Sequence, residues 1–170
     1  MAPVFERFSD AEFICLINQS RPDYLRGEIL ETGADSFRDN LARALKDVAK
    51  DNLIVFLSAA VYQVDELFIS HSEADVKRMV DISVTQVLMI SQAVFGELVK
   101  RRRGRVINLS SFRAKAPSKG TAVYSAVKSF GNTFFSAVGL EYGRFDITSN
   151  SIAIGFADSK LLGRLEKKKI

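Results

Sequence analysis

Apolar positions along this 170-residue chain follow two patterns, short unbroken runs and longer stretches with apolar residues every three or four positions. The first pattern predicts strands and the second helices. Glu12-Phe13-Ile14-Cys15-Leu16-Ile17 predicts a strand, closed by a polar turn at 18–23 that contains Pro22. Gly27-Glu28-Ile29-Leu30-Glu31-Thr32 predicts a second. Ser36 then opens a helix in which Phe37, Leu41, Leu45 and Val48 share one face, so that face packs on a sheet. Asn52-Leu53-Ile54-Val55-Phe56-Leu57 reads as a continuous apolar strand, the kind buried on both faces of a parallel sheet. Ser72-Glu73-Ala74-Asp75 has the form of a capping box and starts a long helix. Val80, Val84, Val87, Leu88, Ile90, Val94 and Leu98 carry that helix to a basic run at 100–105. A strand at 105–109, a helix at 121–142 and a strand from Ile147 complete the alternation.

Parallel strands need crossover connections, so alternating strands and helices with short links predict an α/β domain with a doubly wound parallel sheet. With no repeat, low-complexity tract or linker, residues 1–170 read as a single domain. Ligands of such sheets bind beyond the carboxyl ends of the strands, where Ser58, Ser111 and Gly155 fall.

Hydrophobic residues make up 47% and charged residues 26%, ordinary values for a globular protein. Apolar runs are short compared with the roughly 20 residues that cross a bilayer, and no signal-peptide pattern opens the chain. The expectation is a cytoplasmic protein without a membrane partner. Cys15 is the only cysteine and sits in an apolar run, which predicts a buried small hydrophobe. Much of the +4 net charge lies in Lys100-Arg101-Arg102-Arg103-Gly104-Arg105 and in Lys167-Lys168-Lys169. The first run closes a helix, where cations complement the dipole and Gly104 is placed as the stop, so no nucleic-acid partner is expected. His71 is the only histidine and stands in a polar turn, which predicts a satisfied surface residue and no metal site.

One constellation carries chemistry. Tyr124 and Lys128, four residues apart on a predicted helix, project from the same face. An ammonium beside a phenol favours the ionised form of the phenol. Ser111, at the end of the preceding strand, can hydrogen-bond the same substrate oxygen, so an acid and a polariser converge on one carbonyl or alcohol. Spacing alone also fits an exposed tyrosine and lysine beside a loop serine.

The flanking residues narrow the choice. Gly104-Arg105-Val106-Ile107-Asn108-Leu109-Ser110-Ser111, Tyr124-Ser125-Ala126-Val127-Lys128 and Ile147-Thr148-Ser149-Asn150-Ser151-Ile152-Ala153-Ile154-Gly155 resemble, in order, three segments of the short-chain dehydrogenase/reductase family. Ile154 stands where that family usually carries proline. The resemblance implies a Rossmann-like domain and an NAD(P)-dependent oxidoreductase of carbonyl substrates such as 3-oxoacyl compounds or other ketones. It makes Tyr124 the general acid and Ser111 the residue that positions the substrate oxygen. Lys128 then lowers the tyrosine pKa and holds the nicotinamide ribose. Ser110, beside Ser111, points the other way if the strand continues.

The family's glycine-rich turn, Thr-Gly-x-x-x-Gly-x-Gly, which brings backbone close to the cofactor pyrophosphate, has no counterpart in the chain. Residues 1–8 resemble the middle and end of the helix that follows this turn. The resemblance therefore implies an incomplete fold lacking the first strand and the turn, and ending before the last strand. Ser83 occupies the place of an asparagine that holds a water in the family's proton relay, and Leu57-Ser58-Ala59-Ala60 replaces Asn-Asn-Ala-Gly. Ser58 and Ala59 are then cofactor-facing, and Ser159 matches a threonine that contacts the carboxamide. Arg21, after the first predicted strand, comes with no acid among its neighbours, which leans toward NADP over NAD, although a solvated turn arginine fits too. Relatives pair their two long helices with those of a second copy, so a homodimer is expected. The alternative is a non-catalytic homologue or fragment acting through protein–protein contacts.

Overall fold

The computed structural model describes residues 14–17, 28–31, 37–50, 53–60 and 62–155. The chain divides into two compact units, Met1–Asn52 and Leu53–Ile170. In the first, strands β1 (Ile14–Ile17) and β2 (Glu28–Glu31) pair in parallel, with Cys15 opposite Ile29. Helix α1 (Phe37–Asp47) follows. It buries Phe37, Leu41, Ala44 and Leu45, the face that the three- and four-residue spacing predicts.

The second unit is a three-stranded parallel sheet in the order β3 (Val55–Ser58), β4 (Gly104–Ser111), β5 (Ile147–Ile154). Phe56 lies opposite Val106, and Val106 opposite Ser149. Helix α2 (Glu73–Val80) begins as the capping box predicts, with the Ser72 hydroxyl accepting from Asp75 N–H at 3.0 Å. A π-turn at Asp81–Thr85 joins it to α3 (Gln86–Arg101), and α4 (Ala122–Tyr142) connects β4 to β5. Helix α4 packs on β4 and β5, with Phe135 and Val138 buried and the Phe135 ring 6.5 Å from that of Phe56 on β3. Its close approach to β4 depends on Gly131, where a Cβ would lie 3.1 Å from Asn108 Nδ2. Phe130 and Phe134 are half-buried and stack on each other at 5.7 Å. Parallel strands joined by helical crossovers make this the Rossmann-like α/β arrangement that the alternation implies.

Four details depart from the sequence expectations. Strand β3 is buried on one face only: Ser58 is buried, while Val55 and Leu57 are 54% and 48% exposed. An apolar run cannot by itself distinguish one-sided from two-sided burial. The long helix buries Met79, Ile82, Ser83, Val87, Ser91, Val94, Phe95 and Leu98 and leaves Val80 exposed. The π-turn inserts an extra residue, so the buried face before it is shifted by one position from a continuous 3.6 repeat. Gly104 is not the helix stop. Arg102 takes the left-handed conformation, φ 53°, that ends α3, whereas Gly104 opens β4, where a Cβ would lie 2.7 Å from the buried Leu98 side chain. His71 is half-buried rather than on the surface, and both ring nitrogens are enclosed without a hydrogen-bond partner among the described residues.

The span Glu73–Arg101 is long and apolar enough to cross a membrane by length and composition. Counting only unbroken apolar runs misses this, because scattered polar residues interrupt the runs without lowering the average much. Part of it packs beside α4, with Met79, Ile82, Val87, Val94, Phe95 and Leu98 buried.

Candidate active site

Ser111 is the last residue of β4, and Tyr124 and Lys128 lie on the first two turns of α4. All three are buried. The Ser111 hydroxyl accepts from Arg113 N–H at 3.2 Å, which fixes the turn leaving the strand. Ser110 is buried on the opposite side of the pleat, and its hydroxyl has no partner among the described residues.

Lys128 reaches into the sheet. Its Nζ donates to Ala60 O at 3.0 Å and to Leu109 O at 3.1 Å, joining the chain just beyond β3 to the end of β4. It lies 6.0 Å from the centroid of the Tyr124 ring. Burial penalises the ammonium and lowers its pKa from 10.5 to about 8, so it stays charged at neutral pH.

Beneath Lys128 is a small cavity of about 10 Å³, lined by Ser58, Ala60, Ser83, Val87, Asn108, Val127, Lys128 and Gly131. Ser58, at the end of β3, and Ser83, on the π-turn, are both buried, and the Ser83 hydroxyl has no partner among the described residues. Ile82 and Ser83, both on the π-turn, are buried. Ala59 is exposed beside Ser58. Arg21 and Ser159 lie outside the described residues.

Asn108 is a polar residue of this site that the sequence reading passed over. It is buried in the middle of β4, and its Nδ2 donates to Ser151 Oγ at 3.0 Å. Ser58, Asn108 and Ser151 stand opposite one another across the three strands, forming a polar rung under α4. The available signal was an asparagine inside the apolar run Val106-Ile107-Asn108-Leu109. The carbonyls of Ala60 and Leu109 leave no such signal, because any residue supplies one.

The loop from Ser111 to α4 is firmly built. Phe112–Ala114 forms a 3-10 turn, and Ser129 Oγ donates to Ala114 O at 2.8 Å. Thr121 Oγ1 donates to Ser118 O at 2.8 Å and accepts from Ser118 N–H at 3.0 Å. Gly120, φ 84°, accepts at its carbonyl from Glu66 N–H at 3.0 Å.

Residues 31–170 match the family model described as short chain dehydrogenase. The chain belongs to the short-chain dehydrogenase family. It is 35% identical over 94 residues to a very-long-chain 3-oxoacyl-CoA reductase of Laccaria bicolor, covering 55% of this chain and 28% of that protein. It is 26% identical over 129 residues to a 3-oxoacyl-acyl-carrier-protein reductase of Buchnera aphidicola, covering 75% and 53%. An acetoacetyl-CoA reductase of Paracoccus denitrificans is 25% identical over 154 residues, covering 86% and 64%. The chain thus spans from about a quarter to under two thirds of the length of these curated relatives.

Proposed function

We propose that this protein is an NAD(P)-dependent oxidoreductase that reduces the ketone of a 3-oxoacyl or similar carbonyl substrate. The observation that carries the proposal is the pairing of Tyr124 with a buried, charged Lys128 at the carboxyl end of the parallel sheet. Family membership and the reductase names of the relatives support it.

The nicotinamide end of the cofactor fits the residues present. Ser58 and Ala59 stand at the carboxyl end of β3, where dinucleotides bind in such sheets, and Lys128, reaching there from α4, keeps a third N–H beyond the two it donates. The phosphate end fits less well, because the sequence contains no glycine-rich turn of the family form. When bound, the nicotinamide supplies the hydride. Tyr124 donates the proton that the carbonyl oxygen takes up. Lys128 places its ammonium 6.0 Å from the centroid of the Tyr124 ring, and Ser111 donates a hydrogen bond that orients the carbonyl. The Ser111 hydroxyl is free to donate because its contact with Arg113 N–H uses only its acceptor side.

One competing reading is a homologue that keeps the fold and acts through protein contacts. Nicotinamide-dependent reduction of a 3-oxoacyl thioester at millimolar cofactor separates the two. Turnover that falls on Ser111→Ala supports the enzyme, and a complete lack of turnover supports the binding protein.

A further inference from the structure

Asn108 interrupts the apolar run of β4 with a buried amide, and proton delivery by Tyr124 makes no use of it. A buried amide is costly to leave unpaired, and here its Nδ2 donates to Ser151 Oγ at 3.0 Å. That bond fixes the plane of the amide from the β5 side. On the α4 side the amide faces Gly131, where a Cβ would lie 3.1 Å from Nδ2, 3.5 Å from Oδ1 and 3.6 Å from Cγ. A glycine lets the helix come this close, and an amide tied to Ser151 resists turning away to admit a side chain. Asn108 is therefore a fixed stop under α4.

The stop lies beside the contacts that hold Lys128. Gly131 is three residues past Lys128 on α4, so the two share a face of the helix. Leu109, whose carbonyl accepts from Lys128 Nζ at 3.1 Å, follows Asn108 on β4. Asn108, Gly131 and Lys128 line the same small cavity, and Lys128 is the only charged residue among the described residues that line it. A helix turn moves as a unit, so a displacement of α4 at Gly131 carries the ammonium with it. Its hydrogen bonds, at 3.0 and 3.1 Å, have little slack before they weaken.

We infer that Asn108 is a positioning residue: its amide, tied to Ser151 and seated against Gly131, sets the height of α4 over β4 and so holds the Lys128 ammonium on Ala60 O and Leu109 O. The inference rests on the reductase reading, which pairs Lys128 with Tyr124, but its readout needs no substrate. The experiment is a pH titration of the Lys128 Cε resonance by NMR in the full chain, for the wild type, Asn108→Ala, Gly131→Ala and the double variant. Asn108→Ala removes the stop and opens space beside the ammonium, whereas Gly131→Ala drives a methyl against the amide and lifts α4. Each should let water reach the ammonium and raise the Lys128 pKa from about 8 toward 10.5, by about one pH unit or more.

In the double variant the added methyl fills the space the amide vacates, so the pKa should return close to the wild-type value. Two independent losses of stability would not give that coupling. Gly104→Ala, at the other end of β4 against Leu98, should destabilise the fold without moving the Lys128 pKa. If Gly131→Ala does not fold, the rise in Asn108→Ala and its reversal in the double variant carry the test, and Asn108→Ser can stand in for Asn108→Ala. An unmoved pKa in Asn108→Ala, shifts that add in the double variant, or an equal shift in Gly104→Ala would overturn the inference. Variants whose Lys128 pKa moves as expected while nicotinamide-dependent turnover holds would instead overturn the part of Lys128 in the reductase reading and leave the seat in place.

Discussion

Lys128→Met should remove a pH dependence of stability that the buried ammonium imposes. Unfolded, the side chain has its ordinary pKa of 10.5, whereas folded it lies at about 8 because burial disfavours the charge. Between these values the unfolded chain holds a proton that the folded chain has released. Stability contributed by this group therefore rises as pH increases through that window, and below it the contribution is constant because both states are protonated. The gap corresponds to about 3 kcal/mol at about 1.4 kcal/mol per pH unit. Lys128 is only 8% exposed, so solvent screening takes little from this figure. The assay is urea unfolding of both proteins at steps from about pH 7 to about pH 10.5, taking the difference in stability at each step so that shared titrations cancel. That difference should move in favour of the wild type by up to about 3 kcal/mol over the window. A flat difference would mean that Lys128 is not held in the sheet against Ala60 O and Leu109 O.

Three further outcomes are expected. Without a glycine-rich turn, calorimetry should give the chain a weak affinity for NADPH and NADH, and low-micromolar binding of either would point to a substitute phosphate site. Light scattering at tens of micromolar should give the mass of a homodimer, built as an isologous pair, and a monomer mass would count against it. Gly104→Ala should destabilise the fold by roughly 1 to 3 kcal/mol in urea unfolding, since its Cβ would press on the fully buried Leu98, and an unchanged midpoint would show that Leu98 yields freely.

What was legible in the sequence was what periodicity and local chemistry encode. The face of α1, the cap at Ser72, a strand at 105–109 and the placing of Tyr124 and Lys128 on one helix all follow from patterns a few residues long, while the structure carries that strand on to Ser111. The exposure of Val55 and Leu57 depends on what covers the sheet, which no local run records. The π-turn was illegible because one inserted residue leaves the apolar composition unchanged while rotating the face before it, and Ser83, which lines the cavity, lies on this turn. The partners of Lys128 are backbone carbonyls 68 and 19 residues away, so their meeting depends on the register of β3 against β4. The same register sets Asn108 between Ser58 and Ser151.

The central claim is that Tyr124 delivers the proton in a carbonyl reduction. The most direct test is nicotinamide-dependent turnover of a 3-oxoacyl thioester by the wild type and by Tyr124→Phe, which removes one hydroxyl and keeps the ring that packs in α4. Cofactor is supplied at millimolar concentration. The account predicts that the variant loses roughly 10²- to 10⁴-fold in turnover from about pH 6 to about pH 9. Near-wild-type turnover by Tyr124→Phe across that range would contradict it.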